Sequence, residues 1–116
     1  MYREIEIGEK KVPMMSMASV DLYYKHIFGE DPIKVQMEAS EGDMVNFIIK
    51  MGFVMSKYAE IKVRKEMLKL NEDSFMDWMD QFERDDLYDM DKLSEIQDVY
   101  EGNRRTTSES KNVEDQ

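Results

Sequence analysis

The sequence contains no cysteine, which removes disulfides and thiolate chemistry and fits a reducing compartment. Histidine occurs once, as His26, so ordinary zinc sites are short of ligands. The five glycines stand far apart and form no phosphate-binding loop. No apolar run approaches the ~20 residues of a membrane span. The N-terminal MYREIEIGEK is charged and alternating, unlike a signal peptide.

What is abundant is acid. The formal net charge is −10 over 116 residues, which argues against nucleic acid or an anionic membrane as partner, because both are polyanions. Residues 1–70 hold 11 acids and 11 bases, residues 102–116 hold three of each, and residues 71–101 hold 12 acids against Arg84 and Lys92. The excess therefore sits in one segment, which reads as a solvated helical face or as a docking surface for a basic partner. Paired carboxylates there carry no catalytic specificity. The stretch around Asp85 to Asp91 has the wrong residues at the sixth and twelfth positions for an EF-hand loop. No catalytic, metal or cofactor residues are assigned, and the chain is read as a non-enzyme needing no cofactor.

The longest helical pattern without proline is residues 43–70, DMVNFIIKMGFVMSKYAEIKVRKEMLKL. One helix of that length would span roughly 40 Å. Met44, Phe47, Ile48, Met51, Val54, Met55, Tyr58 and Ala59 fall on one stripe, and Val45, Ile49, Phe53, Val63 and Met67 fall beside it. So wide an apolar circumference needs cover on more than one side. Gly52, Ser56 and Ala59 form a small-residue patch, which suits a close helix crossing within the chain or between chains.

The flanking segments read as follows. Arg3 to Ile7 alternates, Gly8-Glu9 turns, and Val12 resumes the alternation, so residues 3–15 form a hairpin that lays Ile5, Ile7 and Val12 on helices. Ser16 or Ser19 caps a helix to about Phe28, with Val20, Tyr23, Tyr24, Ile27 and Phe28 inward. Gly29 ends it, and Asp31-Pro32 blocks continuation. Residues 33–39 read as extended or as a short helix. Asn71 or Ser74 starts a helix with the aromatic face Phe75, Trp78, Met79 and Phe82. Asp85 or Asp86 caps a last helix with Leu87, Met90, Leu93, Ile96, Val99 and Tyr100 inward, closed by Gly102-Asn103. The fold expected is mainly α: a short β-hairpin, then about four helices around a long central one. A single domain over residues 1–103 precedes a polar tail, 104–116, expected to be disordered.

Twelve methionines include Met44, Met51, Met55, Met67, Met76, Met79 and Met90 on the expected apolar faces. Methionine is unbranched and polarizable, so it conforms to varied apolar partners or simply replaces leucine in a core. A candidate surface for a partner or a second copy accordingly comprises Val45, Ile49, Met51, Gly52, Phe53, Met55, Ser56, Tyr58 and Ala59 of the central helix, with Trp78, Met79 and Phe82. The stripe from Met44 to Ala59 is assigned to the chain's own flanking helices. The Val45, Ile49, Phe53 side and the small patch are assigned to another copy or a client.

Two motifs carry a resemblance. Tyr24-Lys25 followed by Phe28-Gly29-Glu30-Asp31 resembles the signature near the start of tail assembly chaperones from long-tailed phages and prophages of Gram-positive bacteria. The stretch Ser74-Phe75-Met76-Asp77-Trp78-Met79, with Phe82-Glu83, is similar to the family's later aromatic stretch, and the order of elements agrees over about residues 3 to 112. Pro32 directly after Asp31, and methionine where the family tends to leucine, depart from the pattern. The resemblance implies a non-enzymatic, oligomeric viral protein of the host cytoplasm, absent from the mature virion. Its implied partners are the apolar, helical tape measure protein, which it keeps soluble, and the tail tube protein. The alternative is a structural tail or connector subunit retained in the virion.

Overall fold

The computed structural model describes residues 1–102; the expected disordered tail, 104–116, lies outside the described residues. Strands β1 (Tyr2–Ile7) and β2 (Lys10–Met15) pair antiparallel with Ile5 opposite Val12 and Ile7 opposite Lys10. This register leaves the two-residue turn Gly8-Glu9, with φ +63° at Gly8 and a negative φ at Glu9, the sign pattern of a type II′ turn. Cross-strand partners share a face, so Ile5, Ile7, Val12 and Met14 point inward together and all four are buried.

Helix α1 (Val20–Phe28) buries Val20, Tyr24, Ile27 and Phe28. A second short helix, α2 (Pro32–Glu38), occupies the segment whose conformation the alternation left open. Asp31 makes it helical: its carboxylate accepts from the amides of Ile33 and Lys34 at 2.9 and 3.4 Å. Pro32 takes the first helical position, where its missing N–H costs nothing.

The central helix α3 runs Glu41–Glu60, about 30 Å, and not over residues 43–70. The remainder folds back as a 3₁₀ turn, Arg64–Lys69. Arg64 drives this ending. Its guanidinium donates to the carbonyls of Tyr58 (2.9 Å) and Ile61 (2.6 Å) and lies 3.7 Å from the Tyr58 ring centroid, satisfying acceptors that helix ends leave open. Met67 is then buried, and the Leu68 carbonyl meets His26 Nε2 at 2.9 Å.

Helix α4 (Glu72–Met79) begins with a reciprocal cap between Asn71 and Ser74. The expected last helix is two: α5 (Arg84–Leu87) and α6 (Met90–Glu101). Asp89 separates them by accepting from the amides of Asp91 and Lys92 at 2.8 and 3.3 Å. Leu93, Ile96 and Val99 face the core, whereas Met90, placed inward by periodicity, is 72% exposed, and Met76 is exposed as well.

Around α3 the chain supplies its own cover. The hairpin, α1, α2, α4 and α6 all touch it. The described residues thus form a mainly helical fold with an N-terminal hairpin and a long central helix, as the sequence indicates.

Candidate functional site

The aromatic residues of both motifs turn inward: Tyr24, Phe28, Phe75 and Trp78 are buried and Phe82 is half-buried. At the corner between α1 and α2, Gly29 has φ +69° and donates its amide to the Lys25 carbonyl at 2.8 Å. The buried Tyr24 donates its hydroxyl to Glu30 Oε2 at 3.2 Å, and Lys50 of α3 pairs with Glu30 Oε1 at 2.9 Å. Burial, then the Glu30 charge and hydrogen bond, push the Tyr24 hydroxyl above the ordinary tyrosine range. Phe28 meets Phe75 edge-on at 5.2 Å between centroids, Phe75 meets Phe53 at 5.5 Å, Phe53 meets Trp78 at 5.8 Å, and Trp78 meets Phe82 at 5.1 Å. The two motifs, distant in sequence, therefore join through Phe53 into one aromatic row that fastens α1 and α4 to α3. Lys25 and the Asp31 cap remain exposed.

The partner surface expected from the sequence is largely consumed by this core. Ile49, Met51, Gly52, Phe53, Met55, Ser56 and Tyr58 of α3 and Trp78 of α4 are buried, and Val45, Ala59, Met79 and Phe82 are half-buried. The reason is that the chain covers α3 itself: Phe53, assigned to another copy or a client, packs on Phe28 of α1 and on Phe75 and Trp78 of α4, and the hairpin and α6 also pack on the helix. Gly52 sits against Ile96 of α6 and Met14 of β2, so the close crossing is inside the chain.

One part of that side stays open. Between the first half of α3 and α6 lies a hollow of about 710 Å³, with Met44, Val45, Ile48, Met90 and Leu93 giving it an apolar lining and Glu41, Ser94 and Gln97 polar edges. A second hollow of about 630 Å³ lies between α1, α2 and the end of α6, lined by Met17, Val20, Ile33, Met37 and Tyr100, with Asp21, Gln36 and Glu101. Met90, Ser94, Gln97 and Glu101 are spaced four, three and four apart, which places them on one face of α6. The two hollows thus lie along that face, one toward each end of the helix. Neither is lined by lysine or arginine among the described residues.

Polar contacts fix the walls of the second hollow. Tyr100 donates its hydroxyl to Asp21 at 2.8 Å and accepts from the Gln36 amide at 3.2 Å, while the Ser16 hydroxyl donates to the Tyr100 carbonyl at 3.0 Å. Arg3 of β1 pairs with Glu95 of α6 at 2.9 Å. Helix α6 is therefore tied to the hairpin, α1 and α2, and its outer face is held in place.

Met17, Ile33 and Met37 were not assigned to any surface from the sequence. The four-residue spacing of Ile33 and Met37 puts them on one face under the short-helix reading of residues 33–39, the one of the two alternatives that the structure adopts. Among the described residues there is no cluster of three or more metal-ligating side chains and no helix long and apolar enough to cross a membrane. The chain matches no family model, no curated protein and no solved structure.

Proposed function

We propose that this chain is a non-enzymatic assembly chaperone of the long-tailed phage type. It holds an apolar helical segment of a tape measure protein along the outer face of α6 and keeps that client soluble in the host cytoplasm until tail-tube subunits enclose it. The observation that carries this reading is the apolar, methionine-edged hollow between α3 and α6. An amphipathic helix docking in a groove buries residues spaced three and four apart, and methionine at the lip adapts to differing clients. The choice of client rests on the motif resemblance, and the hollow supports the reading as an apolar surface of suitable shape.

Magnitudes favour many weak contacts. Three apolar anchors at about 2 kcal/mol each give about 6 kcal/mol, against an association cost of about 4 kcal/mol or more. A single site is therefore weak, and repeated copies along one long client gain through avidity. The acidic segment 71–101 keeps such an array dispersed by mutual repulsion.

Co-expression with the neighbouring tape-measure product tests the reading. A soluble complex is expected to co-purify, and Met90→Glu, at an exposed lip position, to reduce its yield. If the tape-measure product is equally soluble alone and no complex forms, the chaperone reading fails. Mass spectrometry of purified virions addresses the structural alternative: abundant peptides from this chain in finished particles would favour a retained tail or connector subunit.

A further inference from the structure

The two hollows on the outer face of α6 adjoin along both of their walls. On the α6 wall, Gln97 lines the hollow toward α3, and Tyr100, less than one turn on, lines the hollow toward α1 and α2. On the facing wall, Met37 of α2 lines the second hollow and Ala39, two residues on, lines the first. Together they make one trough along α6 from Met90 to Gly102, about 18 Å long. Met17, Ile33, Met37 and Met90 in this trough are four of the nine large apolar residues that stand exposed among the described residues. Exposed apolar groups gathered in this way mark a docking surface.

Charge of one sign lines the same trough. Asp21 and Glu101 belong to one hollow and Glu41 to the other, and no lysine or arginine lines either. The cations next to it in sequence are engaged elsewhere. Lys92 of α6 pairs with Glu95 at 3.2 Å, and Lys34 of α2 lies on the helical face of Glu38, which lines a different recess. Lys25, one turn beyond Asp21, lines neither hollow. Tyr100 donates a hydrogen bond to Asp21 at 2.8 Å without neutralising it. Three carboxylates therefore share the trough with exposed apolar side chains and with no cation.

We infer, resting on the reading of the α6 face as a place where a helix docks, that the trough accepts a cationic amphipathic helix of about a dozen residues or more. Apolar anchors three and four apart fill the hollow toward α3, and a second set about two turns further along fills the hollow toward α1 and α2. Lysine or arginine beside the anchors meets Glu41 at one hollow and Asp21 and Glu101 at the other. The charges set register and reject acidic helices more than they add affinity. The chain's own residues 103–116 contain one apolar residue, Val113, too few to anchor in both hollows.

Dye-labelled peptides of about 18 residues, titrated with the full chain and followed by anisotropy, test this. The first carries leucine at positions i, i+4, i+7 and i+11 with lysines beside them. It should bind, and bind less well as salt is raised. With glutamine in place of lysine the affinity should fall about tenfold, and with glutamate binding should be lost. Glu41→Lys combined with Glu101→Lys should weaken the lysine peptide and admit the glutamate peptide, an exchange that misfolding cannot mimic. Met37→Ser and Met90→Ser, at exposed positions in the two hollows, should each weaken the lysine peptide about tenfold. If only one of them does, the hollows act separately and the single trough is overturned. A lysine peptide with its leucines spread around the helix that binds equally well would show general attraction to an acidic chain, and also overturns the inference. A glutamine peptide that binds as tightly as the lysine peptide overturns the charge requirement while leaving helix docking intact. No binding by the lysine peptide, the outcome if residues 103–116 or a second copy fill the trough, overturns it outright, whereas the chaperone reading is decided separately by co-purification of the tape-measure product.

Discussion

A β-carbon on Gly52 would stand 3.2 Å from Ile96 Cγ2 and 3.5 Å from Met14 Cε, so at this point α3, α6 and β2 meet with no room for a side chain. Ile96 is fully buried and β-branched, and has little freedom to retreat. Gly52→Leu is therefore expected to cost about 1–3 kcal/mol or more through overpacking, read as a lowered melting temperature. Its mass in light scattering should equal that of the wild type. A changed mass at unchanged stability would show that position 52 contacts another chain.

That crossing shows how far the sequence alone leads. The surplus of apolar circumference on α3 is plain from periodicity, and so is the need for cover on several sides. Periodicity cannot say that the hairpin and α6 provide part of it, because the inward sets Ile5, Ile7, Val12, Met14 and Leu93, Ile96, Val99 carry no address. The end of α3 is hidden for another reason. No proline or glycine lies between Glu60 and Asn71, and α and 3₁₀ turns both bring residues three apart near one another. The break comes from the Arg64 cap on the Tyr58 and Ile61 carbonyls and from the burial of Met67. The hollow is half legible: Val45 belongs to the expected surface, but periodicity turns Met90 inward, whereas the Asp89 cap starts a new helix at Met90 and leaves its side chain exposed.

Arg64 closes α3 by hydrogen bonds to two carbonyls and by stacking on Tyr58. Arg64→Ala is expected to cost roughly 1–2 kcal/mol from the lost donors and ring contact. Arg64→Lys should recover only part, because an ammonium lacks the planar fork. Urea midpoints of the three proteins give the comparison. Full rescue by lysine would mean that charge at the helix end suffices.

The Tyr24 hydroxyl carries a pH dependence. Its proton is held more tightly in the folded chain, first by burial and then by Glu30, than in the unfolded chain, where tyrosine titrates near about 10. Folded chain therefore binds more protons than unfolded chain above that value. The contribution to stability is complete below about pH 10 and is lost as pH rises toward the folded value. Five other tyrosines also titrate, so the measurement is a difference: the urea midpoint of Tyr24→Phe should fall less steeply than the wild type's as pH rises above about 10. Below that range the variant should be about 0.5–1.5 kcal/mol less stable, for its lost hydrogen bond. Equal slopes would mean that Tyr24 ionises as readily folded as unfolded.

Trp78 distinguishes two places where a client helix could sit. It is 3% exposed, wedged between Phe53 and Phe82 and lining a recess with Lys11, Pro13 and Ser56. None of these residues lines the α3–α6 hollow. A client seated along α6 leaves the indole's surroundings unchanged, whereas one seated against Met79 and Phe82 replaces water beside the indole and moves its emission. The chain has one tryptophan, so a client segment without tryptophan leaves a single reporter. Titration with such a segment, with binding followed independently by anisotropy of a dye on the client, should saturate with the Trp78 emission maximum unmoved. A shift that tracks the anisotropy would place the client on the α4 side. The client would then sit on the surface that the sequence indicates at Trp78, Met79 and Phe82, and not in the hollow beside Met90.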